Sequence, residues 1–269
     1  MLNFKKNSIF QRGGGREEEP DTDTGGVLAV WGSPGSGKTT VAVKLAKYLA
    51  DHKKNVSLLL ADMTAPMLPC ICPPGDLENE RSLGSILAAT HVSDSLIRQN
   101  CMTHKRMEHL VLLGLKKGEN EYTYPPYSAS QATELIEHLR AVTPYVIIDC
   151  SSYITNDILS AIALMESDSV LRLVNCDLKS ISYLSSQLPL LKDHKWDADK
   201  QYKIANNVKT YEASGYVEQV LGNVAFQIPH SSEVEQQGLE GDLLKDLSLK
   251  ESRKYRKEIE KIVGEVFGC

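Results

Sequence analysis

Gly32-Ser33-Pro34-Gly35-Ser36-Gly37-Lys38-Thr39 is the stretch that decides the fold of this chain. It satisfies G-x-x-x-x-G-K-[ST], the phosphate-binding loop, at every required position. Its flanks agree with that reading. Before it, Val27-Leu28-Ala29-Val30-Trp31 is a short apolar run of the kind a buried parallel strand carries. After it, Thr40 opens a segment with Val41, Leu45 and Leu49 on one helical face. Strand, glycine-rich loop and helix together make a cradle for phosphate, because loop N–H groups and the positive helix end point at one anion. The pattern therefore assigns Gly32 to Thr40 to a nucleoside triphosphate. Lys38 is placed on the β- and γ-phosphates, and the Thr39 hydroxyl on Mg²⁺.

Working outward, the 269 residues are 42% hydrophobic and 24% charged, ordinary values for a soluble globular protein. No apolar run is long enough to span a membrane. The first residues, Met1-Leu2-Asn3-Phe4-Lys5-Lys6, lead into no apolar stretch of secretory type. The six cysteines are scattered and form no disulfide framework, which suits a reducing cytoplasm. A net charge of −5 argues against a surface that binds nucleic acid over its whole extent.

Residues 1–25 are polar and glycine-rich and are expected to form a flexible leader, because they cannot bury enough apolar surface to offset ordering. From Gly26 to the C-terminus, strand and helix patterns alternate, which predicts one α/β domain. Strands are expected at 56–61, 109–113, 145–149, 170–174, 202–205 and 224–228. Helices are expected at 81–89, 131–142, 157–165, 180–191 and 250–267. Such alternation makes a doubly wound, mostly parallel sheet with helices on both faces.

Tyr145-Val146-Ile147-Ile148-Asp149 is an apolar strand that ends in an acid. A buried strand of this kind delivers one carboxylate to the edge of the sheet, where Asp149 can hold Mg²⁺ alongside Thr39. At this point the chain resembles the ParA/MinD family of P-loop ATPases, from about Gly26 onward. Leu58 to Asp62 looks like that family's switch I segment, and Leu110 to Gly114 its third strand. Asn206-Asn207 resembles the asparagine that reads adenine, and Gly222 to Pro229 the final strand with its adenine loop. The resemblance implies bound ATP and Mg²⁺, a homodimer and a protein partner.

Two departures from the family pattern stand out. Ser33 occupies the position of a signature lysine that reaches the partner subunit's nucleotide. Thr64 follows Asp62 where the family has a second acid that orients the attacking water. A hydroxyl holds water but is a poorer proton acceptor than a carboxylate. Both departures imply slow hydrolysis, with Lys38, Asp62, Thr64 and Asp149 as the catalytic set. They resemble the pilus-assembly localisation branch, the TadZ/CpaE type.

Three other readings are weighed: an active DNA-partitioning ATPase, a non-hydrolysing ATP-bound adaptor, and a metal-insertion ATPase using Cys70 and Cys72. The Cys70-Ile71-Cys72 pair could build a thiolate site across a dimer, but its proline-rich flanks favour two ordinary thiols. The basic residues from Lys250 to Lys261 are interleaved with Glu251, Glu258 and Glu260, which favours a solvated helix face over a DNA patch.

Overall fold

The computed structural model describes residues 25–187, 189–192, 196–209, 218 and 222–269. The leader expected over residues 1–25 lies, apart from Gly25, outside the described residues. Eight strands form one sheet: β1 (Gly26–Gly32), β2 (Val56–Leu60), β3 (Met102–His104), β4 (Met107–Leu113), β5 (Tyr145–Asp149), β6 (Ser169–Asn175), β7 (Gln201–Val208) and β8 (Phe226–Pro229). Their spatial order is β3-β4-β2-β5-β1-β6-β7-β8. All neighbouring pairs are parallel except β3 with β4.

The central strands read as unbroken apolar runs because both of their faces are covered. On β1, Val27, Ala29 and Trp31 enter one core, whereas Leu28 and Val30 enter the other. The first core is closed by α3 (Leu83–Leu87), α4 (Asp94–Asn100), α5 (Ala129–Val142), α6 (Ile158–Glu166) and α7 (Leu178–Gln187). The second is closed by α1 (Lys38–Asp51), with α2 (Leu68–Ile71), α8 (Ser232–Glu240) and α9 (Arg253–Phe267). This is the doubly wound architecture that the alternation predicts.

Helix α9 shows how the second core is sealed. Tyr255, Ile259, Val263 and Phe267, one stripe in the sequence, are all buried. The Phe267 ring meets Tyr145 of β5 edge-on at 5.2 Å between centroids. Burying Ile259, Val263 and Phe267 stabilises the fold by about 1.5–3 kcal/mol each. Arg253, Lys254, Arg256 and Lys257 stay exposed on the opposite side.

Four elements lie outside the sequence expectation: the helices α2, α4 and α8 and the strand β3. Met102–His104 pairs antiparallel with β4 through a two-residue turn at Lys105 and Arg106, an edge hairpin that alternation alone does not reveal. Helix α8 follows β8, capped by the Ser231 hydroxyl on the Val234 amide and ended by Gly241 at φ 71°. Among the described residues no helix is long and apolar enough to cross a membrane.

The chain runs from β1 to β2 on one side and reaches β6 on the other. The loop after β1 therefore emerges at the middle of the sheet, between the loops after β5 and β6. In open α/β sheets this reversal of strand order opens the crevice where ligands sit.

Candidate functional site

The phosphate loop leaves β1 at Gly32, which packs so tightly against β6 that a Cβ there would lie 2.1 Å from the Leu173 carbonyl oxygen. Gly35 at φ 74° and Gly37 at φ 82° take left-handed backbone that side chains disfavour. Gly37 is the N-cap of α1, so the loop delivers its amides onto the helix start. Pro34 and Gly35 form the exposed crest, while Ser33 and Ser36 are buried beneath it.

Two asparagines at strand ends clamp this loop from below. Asn206 of β7 donates its amide to the Ser36 carbonyl at 2.6 Å, and Asn175 of β6 donates to the Gly35 carbonyl at 3.0 Å. A Cβ on Gly37 would come within 2.5 Å of the same Asn206 amide, so the glycine admits the clamp. The Asn206 amide nitrogen, expected on the base, is thus spent on the loop. Asn207 stands exposed beside it at φ 56°, with its side-chain oxygen 2.7 Å from His230 Nδ1. Asn207, Pro229 and Thr40 line a cavity of about 250 Å³ that opens beside Gly35 and Gly37. The residues expected to read the base and those expected to cradle phosphate therefore meet at one place.

Asp149 ends β5 directly under the loop. The Thr39 hydroxyl donates to its Oδ2 at 2.6 Å, and its Oδ1 is buried without a hydrogen-bond partner. Burial pushes the carboxyl up to about 7, a cost that the Thr39 hydrogen bond and the Lys38 charge only partly offset. Lys38 donates to the Ser152 hydroxyl at 2.7 Å. Burial pulls its ammonium below the ordinary lysine range, against the charges of Asp149 and Asp62. The Ser33 Oγ, Ser36 Oγ and Asn175 Oδ1 atoms also lie buried and unpartnered around the loop. A polar group left buried without a partner costs about 1–3 kcal/mol.

The Asp149 carboxylate and the Thr39 hydroxyl are hard oxygen donors, the set that Mg²⁺ takes when it also binds phosphate. The orphaned Asp149 Oδ1 is the atom that fits such an ion.

Asp62 follows β2 and lies close enough for its charge to act on both Lys38 and Asp149. Its Oδ1 accepts from the amides of Thr64 and Ala65, each at 3.0 Å. Thr64 is exposed, and its hydroxyl donates to Glu121 Oε2 at 3.0 Å. Ser152, Asn175 and Glu121 did not figure in the sequence reading. Asn175 could have been noticed as the polar end of an apolar strand, and Ser152 as a neighbour of Asp149; nothing local signals Glu121.

Cys70 is partly exposed, but Cys72 is buried and its thiol is pushed up to about 12 by burial. That opposes the thiolate a metal needs. Among the described residues no His, Cys, Asp and Glu side chains gather into a metal-binding group.

A family model described as an AAA domain matches residues 32–204. Among curated proteins nothing matches. The fold is similar to a ParA family ATPase from Chlorobium tepidum, at a TM-score of 0.72 and 17% identity, covering 88% of this chain and 98% of that one. It is also similar to the septum site-determining protein MinD complexed with Mg-ADP from Pyrococcus horikoshii, at 0.68 and 18%, covering 89% and 95%. MinD in a MinC:MinD cell division complex from Aquifex aeolicus aligns at 0.68 and 19%, covering 88% and 96%. The chain belongs to the AAA domain family, and its fold is that of the ParA/MinD-type P-loop ATPases.

Proposed function

We propose that the chain binds Mg·ATP, hydrolyses it slowly, and uses the bound nucleotide to control pairing or the docking of a protein partner in the cytoplasm. The observation that carries this reading is the convergence of Lys38, Thr39 and the buried, half-unpartnered Asp149 under one phosphate loop. Lys38 would leave Ser152 for the β- and γ-phosphates, and Thr39 and Asp149 would hold Mg²⁺. The ion, when bound, neutralises charge between those phosphates. MinD carries Mg-ADP in one relative and meets a protein partner, MinC, in another, which supports both halves of the proposal. Six cysteines without a disulfide suit a reducing compartment.

Base selection is assigned to Asn207 and the Pro229 loop, with Asn206 holding the phosphate loop in place. An asparagine amide pairs with both a donor and an acceptor on the adenine edge, and guanine presents the reverse. ATP is expected to bind at least about tenfold tighter than GTP in parallel calorimetric titrations with Mg²⁺. A preference for GTP would overturn the assignment to adenine.

Ser33 bears on pairing. It is fully buried with no hydrogen-bond partner for its hydroxyl, so it presents nothing to a second subunit. A face-to-face dimer would rest on ordinary loop contacts, such as those from residues 62–75 and 150–156. Adding a non-hydrolysable ATP analogue is therefore expected to shift the monomer–dimer balance only modestly, as read by light scattering after size exclusion. A clean monomer that becomes fully dimeric on adding the analogue would show that another residue replaces the family's lysine. The pilus-assembly localisation role rests on Ser33 and Thr64 together. It predicts weak retention on nonspecific duplex DNA even at low salt.

A further inference from the structure

We infer that Glu121 supplies the carboxylate that the switch segment lacks, accepting the proton of the water that attacks ATP. This rests on the ATPase reading above. The family pattern leaves Thr64 where an acid is expected, yet the Thr64 hydroxyl is bonded at 3.0 Å to Glu121 Oε2, from 57 residues further along the chain.

Both ends of this contact are held. On one side, Asp62 Oδ1 closes a tight turn by accepting from the Thr64 and Ala65 amides, which fixes the direction of Thr64. On the other, Glu121 sits in a loop between β4 and α5 that is tied down at Glu119. The mostly buried Glu119 carboxylate accepts from Ser82 Oγ at 2.5 Å, the Lys116 amide at 2.9 Å and the Tyr124 hydroxyl at 2.9 Å. Asn120 then takes the Tyr122 amide on its side chain and the Thr123 amide on its carbonyl, both at 2.9 Å. The Tyr124 ring lies against Gly84, where a Cβ would approach to 2.1 Å. A loop without secondary structure is thus tied at several points on either side of Glu121.

The cleft beside Glu121 joins the phosphate-loop contacts through Ser151. Thr64, Glu121 and Ser151 line one open cleft of about 630 Å³, and no Lys, Arg or His lines it. Ser151 is the residue before Ser152, which holds the Lys38 ammonium. Each of the other acids nearby holds a contact of its own. Asp157 caps α6 through the Ser160 amide and hydroxyl, and Asp62 Oδ1 serves its turn. Asp149 bonds Thr39.

In the step assigned here, the water oxygen bonds to the γ-phosphorus as the bond to the β–γ bridging oxygen breaks. ADP leaves with that electron pair. The proton of the water passes to Glu121 and from there to solvent, so ATP and water become ADP, phosphate and a proton. Thr64 positions the water by holding the carboxylate beside it.

The test uses the full chain with Mg·ATP. Glu121 is exposed, so Glu121→Ala is expected to keep its melting temperature and its affinity for a fluorescent ATP analogue. Its kcat is expected to fall roughly a hundredfold, the contribution of a general base. Added formate should restore part of the rate in Glu121→Ala and none in Lys38→Ala. Thr64→Asp placed on the Glu121→Ala background should restore it without formate. A kcat within about twofold of wild type, or a rate loss that neither formate nor Thr64→Asp repairs, overturns the assignment. A wild type that binds the analogue but shows no turnover overturns the role of Glu121 and leaves nucleotide binding standing. A wild type that binds no analogue overturns both.

Discussion

Lys38→Ala is expected to weaken ATP binding at least about tenfold, 1.4 kcal/mol or more, while leaving the free protein as stable as before. The first half follows from charge. The ammonium sits at the start of α1 under the phosphate loop, and no other cation hydrogen-bonds to Ser152 or Asp149 among the contacts described there. The second half follows from burial. In the free protein the Lys38 charge is disfavoured by desolvation, and its hydrogen bond goes to a single hydroxyl. Removing it takes away as much cost as benefit. Calorimetry with Mg·ATP and a thermal melt of the free protein read the two halves separately. Equal affinities would remove Lys38 from the site. A large fall in melting temperature with unchanged affinity would make it a structural residue.

Asp149→Asn is expected to change stability with opposite sign in the free and the liganded protein. The Asp149 carboxyl is held up to about 7 by burial, from an unfolded value near 3.8. Between those pH values the folded state keeps a proton that the unfolded state has lost, so stability falls as pH rises through the window. The cost is fully present above about pH 7 and absent below about pH 4. A displacement of that size corresponds to roughly 4 kcal/mol as a ceiling. Asparagine keeps the shape and removes the charge. The free variant should therefore melt several degrees above wild type at pH 8, and this gain should vanish towards pH 4. With Mg·ATP the order reverses, because the variant has lost the anionic ligand that the ion requires. Melting curves at both pH values, with and without Mg·ATP, decide it. A variant that retains full Mg·ATP stabilisation would show that Asp149 does not hold the ion.

These two results share a cause. Burial disfavours the charge of both the Asp149 carboxyl and the Lys38 ammonium in the free protein. Such groups are expected where chemistry is done, at the expense of free-state stability.

Several features could be read without the structure because local chemistry dictates them. The glycines at 35 and 37 were legible as a loop, since left-handed backbone selects glycine. The strands around Val27–Trp31 and Tyr145–Asp149 were legible as central, since only a strand covered on both faces is apolar throughout. Asp149 was legible as the end of such a strand, and the Tyr255-to-Phe267 stripe as a docking face of helical period. Helix α8 carries its own signals, Ser231 before it and Gly241 after it, but only its docking against the sheet distinguishes it from a polar loop.

The remainder was decided by tertiary structure. No spacing within β1 says that β5 and β6 will flank it, or that β3 will turn back as an antiparallel edge. Lys38 meets Ser152 across 114 positions, Asn175 meets Gly35 across 140, and Asn206 meets Ser36 across 170. Glu121 meets Thr64 across 57. Each is a single contact between side chains or strand ends that share no local pattern. The sequence by itself determined the glycine-rich loop, the helix start that follows it and the strand-end acid, because these are contiguous or nearly periodic features. Which hydroxyl takes the free lysine, which amides clamp the loop and which carboxylate faces Thr64 were settled only when the sheet order brought remote strand ends to one edge.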